Sequence, residues 1–352
     1  VPKVQPEHLR PFIFHGVDLK WKDNDEQATG DCPFCGKQGK FSIEISTSKW
    51  RCWSCGIGAE EGRLGGNSLS FLKCLQNIGE KQTKDYESLV KDRGLLDFNT
   101  LCSWGVVRSI VDNTWLVPAY GANRKICQLY KYSSGKLFAT AGLSHGLFGK
   151  FEDEKPSIFL CEGPWDAMAL WEILGRARPD KKKGLKETSN QSRSLLADHC
   201  ILAVPGVTSF SDSWVGLFKA KIVNLMFDSD HPRRNAKTGA VSPPPGLLGL
   251  QRVSNILLSP DNRNQPESLS YLRWGPDGFD PRLSSGFDVR DALKAPTSDP
   301  RPLVSRLTRV DELLGKLYPV PDEWLKTQRR AKPKTDSVEC LDCQDYQTLK
   351  NA

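Results

Sequence analysis

Four cysteines, Cys32, Cys35, Cys52 and Cys55, stand as two C-x-x-C pairs with 16 residues between them. Each C-x-x-C turn aims two sulfurs at one point, and two such turns complete the tetrahedral thiolate set that Zn²⁺ prefers. Gly36 and Gly56 follow the pairs, where the backbone must turn tightly. A disulfide pair or free buried thiols are the bland alternatives; zinc is the reading the spacing favours. A second set of residues is acidic. Glu162 and Gly163 follow the apolar run 157–161, and Asp228 and Asp230 follow the apolar run 221–227. The Asp-x-Asp spacing puts both carboxylates on one side of an extended segment, where they can share one hard cation such as Mg²⁺ or Mn²⁺. Glu162 either completes that site or acts as a base, and Asp166 lies one helical turn further on. Carboxylates holding Mg²⁺ suit phosphoryl transfer, in which charge on the moving phosphate must be neutralised.

The surrounding elements are legible in outline. Segments 40–45 and 48–51 predict a short hairpin between the cysteine pairs. A helix is expected from Asn67 or Ser68, with Leu69, Phe71, Leu72 and Leu75 packing back on the ribbon. The polar stretch 81–91 reads as a linker or exposed helix. Segments 114–120 and 125–132 read as paired strands around Gly121-Ala122-Asn123. From 157 onward the rhythm is α/β. Strands are expected at 157–161, 200–204 and 221–227. A helix starts at Pro164, and another carries Leu247, Leu248, Leu250 and Val253. Such alternation argues for a mostly parallel sheet with crossover helices, whose ligands gather at the carboxyl ends of the strands. Residues 176–198, with Lys181-Lys182-Lys183, and 231–245, ending in three prolines, read as surface insertions. A helix over about 303–317 precedes a basic tail.

The chain has 352 residues, a net charge of +7, 26% charged and 38% hydrophobic residues, the composition of an ordinary globular protein with room for two or three domains. The charge is compatible with a polyanionic partner but does not require one. No apolar run of membrane length and no charged-then-apolar leader is present, so neither a membrane partner nor secretion is expected. Eleven cysteines, an odd number with three C-x-x-C pairs, favour a reducing, intracellular compartment.

The ordered set Glu162-Gly163-Pro164-Trp165-Asp166-Ala167, Ala203-Val204-Pro205-Gly206-Val207 and Phe227-Asp228-Ser229-Asp230 resembles the TOPRIM domain of DnaG-type primases, topoisomerases and related nucleases. Residues 275–281 are similar to a proline- and acid-rich loop of bacterial primases. The ribbon, the Gly65-Gly66 turn and the Ser-Phe helix resemble the start of bacterial and phage replicative primases. Residues 93–97 through 104–106 resemble the opening of their basic polymerase subdomain. Four cysteines, without the histidine of many bacterial relatives, bring the layout nearer to phage primase-helicases.

The resemblance implies a multi-domain α+β chain. Its parts are a zinc-ribbon domain (1–80), a mixed α+β polymerase subdomain (81–152), a parallel-sheet α/β TOPRIM domain (153–300) and a C-terminal helix with a basic tail (301–352). It implies an RNA-primer-synthesising nucleotidyltransferase that acts on single-stranded DNA with ribonucleoside triphosphates, alongside a separate replicative helicase. The expected place of work is the cytoplasm, nucleoid-associated, or a phage-infected host. Glu162, Asp228 and Asp230 would hold Mg²⁺ or Mn²⁺; Asp166, Asp277, Asp280, Lys131 and Lys136 would serve nucleotide or template. For the two lysines, solvated surface is the alternative. The insertion at 231–245 departs from the family, in which the Asp-x-Asp runs directly into a helix. No G-x-x-x-x-G-K-[ST] is present, so a helicase motor is not expected within these residues. Trp50 and Trp53 either stack on unpaired bases or fill the ribbon's small core. The five histidines carry no ligand spacing, Cys74, Cys102, Cys127, Cys161 and Cys200 fall in apolar contexts where packing is expected, and the Cys340–Cys343 pair lacks a partner pair. The rival functions are a TOPRIM nuclease and a non-catalytic single-stranded-DNA-binding or helicase-associated module.

Overall fold

A computed structural model describes residues 6–60, 63–64, 66–176, 194–276, 278–295 and 302–325. Asp277, Lys181-Lys182-Lys183, the tail lysines and arginines beyond 325, and Cys340 and Cys343 lie outside the described residues.

The ribbon is a four-stranded antiparallel sheet. The edge pair Leu19–Lys20 is followed by β1 (Gln27–Gly30), β2 (Phe41–Glu44) and β3 (Trp50–Cys52). Helix α1 (Ser68–Gln82) opens with a reciprocal cap. The Ser70 amide donates to Asn67 Oδ1 at 2.9 Å, and the Asn67 amide donates to Ser70 Oγ at 2.8 Å. The indole of Trp50 donates to the Asn67 carbonyl at 2.8 Å, fixing helix to ribbon. Phe12, Phe41, Trp50, Phe71 and Leu75 are fully buried in the core between them. That core extends to Val107, Leu116 and Leu129, so the ribbon is seated on the next block rather than tethered to it.

Helices α2 (Glu87–Arg93) and α3 (Phe98–Ser103) follow the polar stretch. Next come β4 (Trp115–Tyr120), β5 (Ile126–Ser133) and β6 (Leu147–Phe148), then β7 (Ser157–Cys161) and α4 (Pro164–Arg176). The chain continues through β8 (His199–Ala203), β9 (Ile222–Met226), α5 (Pro245–Leu257), β10 (Ser268–Leu272), α6 (Val289–Lys294), α7 (Pro302–Leu314) and β11 (Leu317–Pro319).

All these strands join one ten-stranded sheet. Its order runs from the edge strand Lys136–Phe138 through β5, β4, β6, β8, β7, β9 and β10 to β11, with Val107–Arg108 pairing to β4. The centre, β8-β7-β9-β10, is parallel, and the flanking pairs are antiparallel. Every residue of β7 is buried, which is why its sequence is a continuous apolar run. One core lies on each face of this centre. Phe159, Cys161, Ile201, Ala203 and Met226 face α4 and α6. Leu160, Leu202 and Leu225 face Trp214, Phe218 and α5.

Glu172 of α4 couples the antiparallel wing to the parallel centre. Its buried carboxylate accepts from the amides of Leu96 (2.7 Å) and Asp97 (2.9 Å) and from Thr100 Oγ1 (2.9 Å), satisfying the start of α3. No helix of the described residues is long and apolar enough to cross a membrane.

Candidate functional site

The register of the parallel strands positions the acids. Cys161 is level with both Ala203 and Met226, so β7, β8 and β9 end flush, and whatever follows them emerges along one edge. Glu162 and the Phe227-Asp228-Ser229-Asp230 segment therefore come out side by side. The Asp228 amide donates to Glu162 Oε2 at 3.2 Å.

The Asp-x-Asp segment is held from several sides. The Trp274 indole donates to the Phe227 carbonyl at 2.7 Å, and the Asp280 amide donates to Ser229 Oγ at 3.1 Å. The Ser229 amide donates to the Phe287 carbonyl at 2.8 Å, and the Gly286 amide returns a bond to the Ser229 carbonyl at 3.1 Å. On the far side the first turn of α5 closes in. The Gly246 amide donates to Asp230 Oδ2 at 2.9 Å, and a Cβ at Gly246 would lie 2.5 Å from the Asp228 carbonyl oxygen, so only glycine fits there.

The loop 284–288 brings in Asp288, a residue that sequence reasoning missed. Its side chain caps α6 through the Asp291 amide (2.7 Å) and pairs with Arg290 Nη2 (2.8 Å), while its carboxyl also meets that of buried Asp166. Four acids, Glu162, Asp166, Asp228 and Asp288, thus crowd one strand edge, with Asp230 beside them. Burial and the charges of Asp230 and Asp288 push the Glu162 carboxyl up to about 7, although the Asp228 amide opposes this. Burial, then Glu162, Asp166, Asp288 and Asp230, push Asp228 up to about 10. Asp166 lies well above the carboxylate range through burial and the charge of Asp288. Asp228 Oδ1 and Asp166 Oδ1 are buried with no hydrogen-bond partner. Arg290 answers Asp288 but leaves these two oxygens unpartnered, and a divalent oxygen-loving cation fits that need at Asp228.

The remaining sequence candidates fall elsewhere. The Asp280 carboxylate accepts from Arg282 Nε (2.9 Å), Nη2 (2.7 Å) and the Arg282 amide (3.0 Å), and these bonds hold it down at about 2. Its backbone, not its carboxylate, touches the Asp-x-Asp segment. On β5, Lys131 is ion-paired with Asp112 and lies 5.1 Å from the Phe14 ring. Its neighbour Tyr132 points the other way, 4.9 Å from Trp165 at the start of α4. Lys131 therefore faces the ribbon side of the sheet, and Lys136 is exposed on the edge strand. A cation that does approach the start of α4 is Arg93, 4.8 Å over Tyr132 and 5.5 Å over Trp165, and bridged to Asp92. Arg93 and Arg290 carry no motif of their own. The clue in sequence was only that Arg93 closes a helix beside Asp92 and Arg290 stands in the first turn of one beside Asp291.

In the ribbon, the four cysteines are free thiols whose sulfurs all lie within 4.8 Å of one another, with Cys35 and Cys52 Sγ 3.7 Å apart. Thiolates about 2.3 Å from a tetrahedral metal stand roughly 3.8 Å from each other, so the cluster fits zinc. Burial raises Cys52, but the amides of Cys55 (3.4 Å) and Ser54 (3.3 Å), together with the thiols of Cys55 and Cys32, more than offset it and hold the thiol at about 7, where it readily becomes a thiolate. Among the described residues no other group of three or more such side chains converges this tightly. Trp50 is core, which excludes it from base stacking, whereas Trp53 is 54% exposed, with Arg51 3.8 Å over its ring. A cavity of about 240 Å³ lined by Tyr120, Arg124, Lys150 and Leu202 holds none of the acids.

No family model matches the sequence, and no curated protein matches it. Solved structures of similar layout do exist. The zinc-binding and RNA polymerase domains of the Aquifex aeolicus primase align over 90% of this chain and 86% of theirs, at 12% identity and a TM-score of 0.44. The primase fragment of the bacteriophage T7 primase-helicase aligns over 81% and 98%, at 12% identity and 0.38. The DnaG catalytic core aligns over 71% and 80%, at 11% identity and 0.45.

Proposed function

We propose that this chain is a DNA primase, building short RNA primers on single-stranded DNA by metal-dependent nucleotidyl transfer. The observation that carries the reading is the flush strand edge. Glu162, Asp228 and Asp230 emerge together from adjacent parallel strands, with Asp228 Oδ1 left without a partner and the Glu162 and Asp228 carboxyls raised by burial and neighbouring acids. The sequence resemblance supplies the reaction class, and the four-cysteine ribbon agrees with its expected domain order (1–80, 81–152, 153–300, 301–352).

In this reading Glu162, Asp228 and Asp230 would hold Mg²⁺ or Mn²⁺, which would supply positive charge to neutralise the triphosphate and make the attacking hydroxyl more acidic. The 3′-hydroxyl gives up its proton to solvent as its oxygen bonds to the α-phosphorus of the incoming ribonucleotide, the α–β phosphoanhydride bond breaks, and pyrophosphate leaves. Gly246 and Ser229 keep the two aspartates in place through their backbone bonds. Asp166 and Asp288, paired behind them with Arg290, set the charge of the edge. The ribbon, carrying exposed Trp53, reads the template start.

The test is product analysis of end-labelled single-stranded DNA incubated with Mg²⁺, with and without ribonucleoside triphosphates. New RNA that requires the triphosphates supports the proposal. Shortened DNA makes the acidic edge a nuclease, and binding without either product makes the chain a recognition module.

A further inference from the structure

The segment between Asp230 and α5 is a built element rather than a slack connection. Arg233–Arg234 pairs antiparallel with Val241–Ser242. The turn is closed by the Asn235 amide donating to the Ala240 carbonyl (2.8 Å), and by Asn235 Oδ1 accepting from the amides of Lys237 (2.9 Å) and Thr238 (3.1 Å). Both ends are fastened at the acidic edge. The His231 amide donates to Ser285 Oγ at 3.0 Å, and the exit at Gly246 is bonded to Asp230 itself.

The composition of this finger is one-sided. Residues 231–245 contain Arg233, Arg234 and Lys237 and no aspartate or glutamate. Residues 232–243 are exposed throughout. Adjacent strand residues point to opposite faces, so Arg233 and Arg234 charge both sides of the finger and Lys237 its tip. A flat protein surface would meet only one of those faces. A flexible polyanion can pass along both.

We propose that this hairpin is a phosphate clamp for the single-stranded DNA, with Arg233, Arg234 and Lys237 holding the sugar–phosphate backbone beside the carboxylate edge. The inference rests on the polymerase reading above and adds a strand-binding element to it. The carboxylates repel a polyanion, and a cationic finger anchored on Asp230 offsets that repulsion where the strand must approach.

The test is fluorescence anisotropy of a labelled twenty-residue oligothymidylate with the zinc-loaded chain, from 50 to 200 mM salt and without ribonucleotides. Each lost phosphate contact on a single strand removes about 0.7 from the slope of log affinity against log salt, so the triple variant R233S/R234S/K237S should be shallower by about 2. Across that salt range wild type should then lose roughly 20-fold more of its affinity than the variant. Zinc content and thermal midpoint should not change, because the three side chains are exposed. Arg233→Lys with Arg234→Lys should keep the wild-type slope, since phosphate needs only the charge. Equal slopes for wild type and the triple variant overturn the clamp. Equal slopes with lost pyrophosphate binding also overturn it and assign the finger to the nucleotide. Because binding needs no synthesis, the two readings separate. Equal slopes in a chain that makes RNA remove only the clamp; a changed slope in a chain that makes none removes only the primase.

Discussion

The cysteine ribbon and the carboxylate edge are both places where donor atoms gather, yet they are built in opposite ways. In the ribbon each pair of ligands comes from one tight turn, and the four sulfurs converge within 4.8 Å of one another. At the edge the donors come from separate elements. Glu162 follows β7, Asp228 and Asp230 follow β9, Asp166 sits in α4 and Asp288 caps α6. Several oxygens there already hold other partners, such as the Gly246 amide on Asp230 and Arg290 on Asp288. The first arrangement suits a permanent structural ion. Under the proposed function, the second would suit ions that come with the phosphates of a substrate and leave with its product.

Breaking the ribbon should have the largest effect. Cys32→Ser or Cys52→Ser should lower zinc from one per chain to none, measured by metal release on denaturation. It should also loosen the aromatic core around Phe41 and Phe71. Trp50→Ala should cost about 3–5 kcal/mol in denaturant unfolding, since the indole fills that core and also bonds Asn67.

The edge should instead show itself through pH. Without Mg²⁺ or Mn²⁺, the unfolded chain loses its carboxyl protons near their ordinary values, while the folded chain keeps them to about 7 at Glu162 and about 10 at Asp228. The folded state therefore binds more protons, and stability falls as pH rises from about 4.5 towards 10, by about 1.4 kcal/mol per pH unit for each retained proton. Thermal melts of the zinc-loaded chain should show this decline. Asp228→Asn should flatten it, and Mg²⁺ should raise the melting point more at pH 8 than at pH 5. A melting point independent of pH in the absence of Mg²⁺ would break the contrast. The smallest effect is expected from Trp53→Ala, about 1 kcal/mol. It removes one hydrogen bond to Ser42 and the exposed contact with Arg51, and zinc content stays unchanged.

Legibility from sequence followed the range of the interactions. The cysteine pairs, the Asn67 cap and the apolar strands are local patterns, and each forms where the spacing puts it. Glu162 and Asp228 were legible because acids directly after buried strands must share an edge once those strands are parallel. Asp288 was not, because only the loop that lays Phe287 across Ser229 brings it there. Lys131 shows the limit of charge alone. One residue of strand alternation separates it from Tyr132, and that decides which face of the sheet it serves. Trp50 and Trp53 look alike in sequence. The close approach of Gly58, where a Cβ would lie 2.6 Å from the Trp50 ring, shows which of them is core.

The most direct measurement is incorporation of labelled ribonucleotides on single-stranded DNA with Mg²⁺, comparing wild type with an Asp228→Asn/Asp230→Asn variant that still carries its zinc. Short RNA from wild type and none from the variant is the predicted result. Equal synthesis by both proteins would contradict the assignment of the carboxylate edge as the catalytic centre.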